Sequence, residues 1–199
     1  MTRGRAPSGG HSIRKWRDHG YSEASARGVT VNNGAVFFGT LDARVVALDA
    51  LADRKLWESR VGPEANDGNY EVTSASVVAK STVIVGSSIG ENGRAEMERG
   101  AVSGFNANTG KLKWTWDPTP PGKTGAANAW APMAVDERRD MVFIPTGGAP
   151  PDFYGGLRPG DNRHPNSVVA LLASTGKLLW SFRYGETAHP GHEPVQAWS

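Results

Sequence analysis

Three stretches of this chain repeat one pattern: Val45-Val46-Ala47-Leu48-Asp49 with Lys55-Leu56-Trp57, Val102-Ser103-Gly104-Phe105-Asn106 with Thr109-Gly110-Lys111-Leu112-Lys113-Trp114, and Val168-Val169-Ala170-Leu171-Leu172 with Thr175-Gly176-Lys177-Leu178-Leu179-Trp180. In each copy an alternating apolar run leads into a short turn of small and polar residues. Two of the turns contain Thr-Gly-Lys, and glycine readily adopts the positive φ of such turns. The pattern therefore predicts a strand, a tight turn and a second strand, three times over.

Two further short strands precede each of these hairpins. Apolar runs occupy residues 34–40, 81–87 and 140–147, and an additional strand is expected at 28–31, 72–78 and 129–135. Four consecutive antiparallel strands are the unit of a β-propeller blade. The sequence therefore predicts an all-β fold of about three blades. The recurrence of Trp57, Trp114 and Trp180 with the repeat predicts that these side chains pack blade against blade.

Composition sets limits on the organisation and partners of the chain. Its 25 glycines, 13 prolines and 38% hydrophobic residues suit a turn-rich all-β protein. A net charge of +2 without a basic stripe gives no reason to expect nucleic-acid binding. We divide the chain into a poorly packed leader at 1–26, a partial propeller at 27–184 and an irregular, divergent tail at 185–199. We find no signal peptide and no apolar run long enough to span a membrane.

Two segments carry residues that a purely structural blade does not require. Glu91 follows a strand within the small-residue loop 87–93, where a hard cation would find an oxygen ligand. Trp130 stands between alanines, which leave its ring free to stack on a planar ligand. Both segments indicate a ligand site built on the blades.

Several motifs resemble those of a known family. They are Arg27-Gly28-Val29, Val72-Thr73-Ser74, Gly86-Ser87-Ser88-Ile89-Gly90-Glu91-Asn92, Asn128-Ala129-Trp130-Ala131-Pro132, Pro151-Asp152-Phe153-Tyr154-Gly155-Gly156 and Arg158-Pro159-Gly160-Asp161-Asn162. In this order and at blade spacing they resemble the pyrroloquinoline quinone (PQQ) dependent dehydrogenases, in particular the membrane-bound glucose, polyol and quinate type. That quinoprotein fold is an eight-bladed propeller, so the resemblance implies about three blades of a larger ring.

The resemblance also implies a set of site residues. Cofactor-binding positions are matched by Arg27, Thr73, Ser88, Gly90, Asn128 and Trp130. Arg27 would pair with a carboxylate or carbonyl of PQQ, the hydroxyls of Thr73 and Ser88 would donate to its carboxylates, and Trp130 would form the floor beneath its rings. Gly90 would bring backbone to the ligand, and Asn128 would make a polar contact. Glu91 matches the acidic ligand of a divalent cation, either Ca²⁺ or Mg²⁺.

The activity implied by the resemblance is oxidation of glucose or a related polyol or alcohol, with electrons passed to a quinone in the periplasm. The general-base aspartate of the family lies in a stretch that follows Phe182, where this chain instead has Arg183-Tyr184-Gly185-Glu186. We therefore assign no catalytic residue and expect the chain, which we interpret as truncated, to have little activity alone.

Two alternatives remain open at this point. A non-enzymatic propeller scaffold, like those that assemble outer-membrane components, would share the tryptophan repeat but would not need Arg27, Glu91 and Trp130 together. A gene remnant or frameshifted product would explain the change of pattern after Tyr184. In either case three blades without a closed ring leave two apolar faces, and these could support self-association.

Overall fold

The computed structural model of this chain describes residues 26–63, 70–89, 99–119, 127–148 and 163–184. Within these ranges the backbone forms fourteen β-strands and no α-helix, so the all-β prediction is confirmed. A helix with the length and apolar character needed to cross a bilayer is accordingly not found among the described segments.

Three antiparallel sheets of four strands form three blades in chain order. Blade 1 contains β1 (Thr30–Asn32), β2 (Ala35–Gly39), β3 (Arg44–Asp49) and β4 (Lys55–Arg60). Blade 2 contains β6 (Val77–Ala79), β7 (Thr82–Gly86), β9 (Val102–Asn106) and β10 (Leu112–Trp116). Blade 3 contains β11 (Ala134–Asp136), β12 (Met141–Thr146), β13 (Ser167–Leu172) and β14 (Leu178–Arg183). A fourth, two-stranded sheet pairs β5 (Tyr70–Glu71) with β8 (Ser88–Ile89). The predicted partial propeller is confirmed.

The hydrophobic core lies between neighbouring blades. One buried cluster joins Phe37 of blade 1 to Val83 and Phe105 of blade 2. A second joins Ile84 of blade 2 to Val142 of blade 3. The central strand β7 is consequently buried at all five residues, whereas all six residues of the outer strand β14 are exposed. Each blade therefore depends on its neighbours for burial of its apolar faces.

The repeated tryptophans connect consecutive blades. The indole N–H of Trp57 donates to the Ala107 carbonyl oxygen of blade 2 at 2.9 Å. The indole N–H of Trp114 donates to the Ala173 carbonyl oxygen of blade 3 at 3.0 Å. Their rings pack against the backbone of Gly110 and Gly176. The predicted role is thus confirmed for Trp57 and Trp114.

The first strand of each blade is shorter than the sequence predicts. Strands expected at 28–31, 72–78 and 129–135 are found as three-residue strands at 30–32, 77–79 and 134–136. The residues before them bond to the neighbouring blade instead: the backbone N–H of Val72, for example, donates to the Thr40 carbonyl oxygen at 3.1 Å. Val72 is also buried in the core between blades 1 and 2, so it belongs to the contact between blades.

Candidate functional site

The segments that precede β1, β6 and β11 meet at one end of the three blades. The Arg27 backbone N–H donates to the Thr73 carbonyl oxygen at 2.9 Å, which links blade 1 to blade 2. The Ala129 backbone N–H donates to the Ser87 carbonyl oxygen at 3.1 Å, which links blade 2 to blade 3. Segments 26–29, 70–76 and 127–133 are therefore held together, although they are distant in sequence.

Arg27 and Trp130 make direct contact at this end. The Arg27 guanidinium carbon lies 5.0 Å from the centroid of the Trp130 ring, which is the geometry of a cation–π interaction. Trp130 remains 43% exposed in this position. Gly147 lies beside it, since a Cβ built there would be only 3.6 Å from the indole nitrogen of Trp130. The structure thus brings together two residues that the sequence predicted for one site.

Thr73 lies next to this pair. Its side chain is buried, and its Oγ1 has no hydrogen-bond partner among the described residues. Val72, the preceding residue, is fully buried in the core between blades 1 and 2. Thr73 therefore offers a buried hydroxyl beside the segment that carries Arg27.

Glu71 is a site residue that the sequence interpretation missed. It is only 6% exposed, and its Oε2 has no hydrogen-bond partner among the described residues. Burial raises the pKa of the Glu71 carboxyl, and the charge of Arg27 opposes that rise. No motif marks Glu71 in the sequence; its pairing with Ser88 across the two-stranded sheet places it at the site.

Ser88 and Asn128 border the same group from β8 and from blade 3. Ser88 is buried and pairs directly with Glu71 across the two-stranded sheet, so the two side chains share a face. The Asn128 side-chain amide accepts from the Ile89 N–H at 2.9 Å and donates to the Ile89 carbonyl oxygen at 3.0 Å. Asn128 thus fixes β8 in place. A direct contact of Asn128 with a ligand stays a prediction.

Two predicted residues lie outside the described part of the chain. Gly90 and Glu91 belong to residues 90–98, which directly follow β8. Among the residues that the structure describes, no group of three or more His, Cys, Asp or Glu side chains is placed to hold a metal ion. The role of Glu91 as a cation ligand therefore stays a prediction.

The described residues suit a flat, anionic ligand. An aromatic ring with exposed surface, a guanidinium above it and two buried oxygens without partners can receive a planar molecule that carries carboxylates. Buried polar atoms are nearly always hydrogen-bonded, so the oxygens of Glu71 and Thr73 point to an additional partner. These features fit the chemistry of PQQ.

Comparison with known proteins gives consistent matches. Residues 10–188 match the family described as "PQQ: Glucose/ethanol/alcohol dehydrogenase, beta-propeller domain". Quinoprotein glucose dehydrogenase A of Acinetobacter calcoaceticus is 35% identical over 173 residues, covering 78% of this chain and 21% of that protein. The crystal structure of quinohemoprotein alcohol dehydrogenase from Comamonas testosteroni matches with a TM-score of 0.70 and 27% identity, covering 80% of this chain and 27% of that one.

A europium-containing methanol dehydrogenase has a similar fold. It matches with a TM-score of 0.69 and 26% identity, over 80% of this chain and 32% of that one. This chain therefore spans between about a fifth and a third of the length of these proteins.

Proposed function

This chain belongs to the propeller family of PQQ-dependent glucose, ethanol and alcohol dehydrogenases, and from that premise we propose that it forms part of the PQQ site of such an enzyme. The whole protein would oxidise glucose or a related polyol or alcohol and pass the electrons to a quinone. Relatives named as glucose and alcohol dehydrogenases support a sugar or alcohol substrate. Family resemblance alone supports the periplasm as the compartment.

The contact between Arg27 and Trp130 carries this proposal. Trp130 supplies an exposed aromatic face for a planar ring. Arg27 supplies a planar cation that pairs with a carboxylate or carbonyl oxygen at the edge of that ring. Because its guanidinium covers one face of Trp130, a planar ligand takes the opposite face or moves Arg27 to its own edge.

The remaining residues orient the ligand and the cation. The buried hydroxyl of Thr73, which has no partner among the described residues, donates to an anionic oxygen, and Ser88 offers a second hydroxyl. Asn128 fixes β8, the strand that precedes Gly90 and Glu91 in the sequence. Glu91 would then bind Ca²⁺ or Mg²⁺ through its carboxylate. When bound, PQQ supplies a two-electron oxidant for the substrate alcohol, and the cation supplies a Lewis acid.

We further propose that these 199 residues bind PQQ but turn over substrate slowly by themselves. In the described part of the site, segments 26–29, 70–76 and 127–133 and strand β8 contain one carboxyl group, that of Glu71. Burial raises its pKa, so its proton is held more tightly than that of an ordinary glutamate. We assign this carboxyl to ligand binding and not to acceptance of the alcohol proton, and these described segments contain no other carboxyl.

Equilibrium dialysis of PQQ against the full chain, with Ca²⁺ or Mg²⁺ present, tests this function. Trp130→Ala should weaken binding by roughly 10-fold or more, because it removes the aromatic surface for stacking. Trp180→Ala is the matched control, since Trp180 is equally exposed, at 44%, but lies on the outer strand β14. Failure of the wild-type chain to bind PQQ would contradict the proposal, as would equal losses in both variants.

A further inference from the structure

Two buried oxygens of the segment 71–73 lack partners within the described structure. They are Oε2 of Glu71 and Oγ1 of Thr73, and both side chains are more than nine-tenths buried. The Thr73 hydroxyl was predicted to contact a ligand, whereas no role was predicted for Glu71. Glu71 lies at the end of the blades where Arg27 and Trp130 meet, because it pairs with Ser88, Arg27 bonds to Thr73 two residues further on, and the charge of Arg27 acts on its carboxyl.

Among the described residues, the blade packing gives no reason for a carboxyl at this position. Val72 supplies the apolar contact of the segment, because it is fully buried in the core between blades 1 and 2. A buried carboxyl oxygen without a hydrogen bond destabilises the folded chain relative to an apolar side chain of the same shape. The cost is offset if a ligand supplies the missing partner.

Burial favours the neutral form of Glu71, and the neighbouring charge opposes it. Burial raises the pKa of the carboxyl, and Arg27 is the charged group that opposes the rise. Of the elements next to it, segment 26–29 contributes Arg27, segment 70–76 contributes the phenol of Tyr70, and the described residues of segment 127–133 and β8 contribute no ionisable group. A neutral carboxyl is a hydrogen-bond donor, whereas a carboxylate would repel an anionic ligand.

We propose that Glu71 binds PQQ directly in its protonated form, donating a hydrogen bond to an anionic oxygen of the ligand beside the hydroxyl of Thr73. This inference rests on the proposed function, because it needs a PQQ site at the end of the blades where Arg27 and Trp130 meet. According to this inference, Glu71 takes up or keeps one proton when PQQ binds.

Three variants of the full chain test it by equilibrium dialysis with PQQ across a range of pH. Glu71→Met keeps the side-chain length but removes the donor, and should weaken binding by roughly 10- to 100-fold, the effect of losing a hydrogen bond to a charged group. Glu71→Gln keeps an N–H donor and should bind within about threefold of wild type at low pH. Asp140→Asn should leave binding unchanged. Asp140 is the matched control because its Oδ1 is also buried without a partner, but it lies in the turn between β11 and β12.

The pH dependence of PQQ binding shows whether Glu71 acts as a protonated hydrogen-bond donor or in another role. Wild-type affinity should fall as pH rises and Glu71 loses its proton, whereas Glu71→Gln should lack this component. Comparing the two proteins cancels any titration of PQQ itself. Thermal unfolding followed by circular dichroism checks that each variant is folded.

Each remaining outcome distinguishes this inference from the proposed function. No binding of PQQ by the wild-type chain would contradict the proposed function itself. Wild-type binding with unchanged affinity in Glu71→Met would overturn only the role of Glu71. Two results would overturn the role of Glu71 as a neutral donor. One is that Glu71→Gln binds PQQ as weakly as Glu71→Met. The other is that PQQ binding depends on Ca²⁺ in the wild type but not in Glu71→Gln.

Discussion

The guanidinium of Arg27, at the start of blade 1, lies over the indole ring of Trp130, at the start of blade 3. The contact passes the end of blade 2, where the Thr73 carbonyl oxygen accepts a hydrogen bond from the Arg27 backbone. Three blades therefore contribute to one small region. A residue pair that spans blades in this way is a property of the assembled propeller and of no single blade.

Substitution of Arg27 should affect binding far more than folding. Its contact with an exposed Trp130 contributes only about 0.5–1 kcal/mol to stability. Loss of a charge-assisted hydrogen bond to PQQ corresponds to about 1.5–3 kcal/mol, or roughly a 10- to 150-fold weaker affinity for Arg27→Ala. Arg27→Lys should recover part of this loss, because it keeps the charge but not the planar fork. Dialysis and urea unfolding of the same samples measure both quantities.

Arg54 provides the control for a general effect of charge. It is an exposed arginine paired with Asp49 at the turn of blade 1. Arg54→Ala should leave the affinity for PQQ unchanged. An equal loss of affinity in Arg54→Ala and Arg27→Ala would indicate a non-specific electrostatic effect and contradict the assignment.

Gly110 should tolerate no side chain. Its φ is +70°, and an added Cβ would lie 2.6 Å from the Trp57 ring. Gly110→Ala should therefore lower the free energy of unfolding by about 2–4 kcal/mol, through left-handed backbone strain and overpacking against the ring. Urea unfolding followed by circular dichroism measures this change.

Gly34 separates the two contributions to that loss. Its φ is +75°, but no atom lies within 4 Å of the position of an added Cβ. Gly34→Ala should therefore cost only the backbone part, about 1–2 kcal/mol. Equal destabilisation by the two substitutions would mean that the packing of Trp57 on Gly110 contributes nothing.

Glu71 should give the unliganded chain a stability that decreases with pH. Burial raises its pKa above the ordinary value of 4.5, so the folded chain holds this proton more tightly than the unfolded chain. Its contribution is fully present below the unfolded pKa and is lost as pH rises through the higher folded pKa. The free energy of unfolding of the wild type, relative to Glu71→Gln, should therefore decline from about pH 4.5 upward.

Urea unfolding at a series of pH values measures this difference. Glu71→Gln serves as the reference because it shares every other ionisable group with the wild type. Subtracting its free energy of unfolding at each pH therefore removes the contribution of those groups. Parallel pH profiles would show that burial does not perturb Glu71. A difference that grows in the opposite direction would show that Arg27 outweighs burial.

The sequence predicted the blades well because the tryptophans recur together with the same strand and turn pattern. An indole N–H needs an acceptor, and Trp57 and Trp114 find one on the turn of the next blade. The first strands were predicted too long, because residues such as Val72 satisfy their backbone across blades. No local pattern distinguishes that bond from a bond within one sheet.

The candidate site was predicted less completely. Motif resemblance identified Arg27, Thr73 and Trp130, which the fold brings together. It did not identify Glu71, because the burial of a single glutamate cannot be read from a sequence. The ligand contact predicted for Asn128 stays a prediction, and the resemblance did not foresee that its amide also bonds to the backbone of Ile89. That bond depends on two blades and becomes visible only in the fold.

Asp53 should limit one mode of association between copies of this chain. The turns of the three blades close with equivalent backbone hydrogen bonds. In blade 1 the N–H of Asp49 donates to the carbonyl of the residue after Asp53. In the same way, Asn106 donates to the residue after Gly110, and Leu172 donates to the residue after Gly176. Trp57 and Trp114 pack on the two glycines. Asp53, with φ 47°, carries a Cβ where they have none.

A second copy could otherwise dock its exposed Trp180 on the turn of blade 1, as Trp57 docks on blade 2. Because the Cβ of Asp53 blocks that approach, Asp53→Gly should increase concentration-dependent association, and the double variant with Trp180→Ala should remove the increase. Sedimentation velocity over a range of protein concentrations measures both. In the wild-type background, Trp180→Ala should leave association through this contact unchanged, because Asp53 already blocks it. If Trp180→Ala lowers association in the wild-type background as much as in Asp53→Gly, Asp53 does not block the contact. In that case the glycines at 110 and 176 are not what permits tryptophan docking.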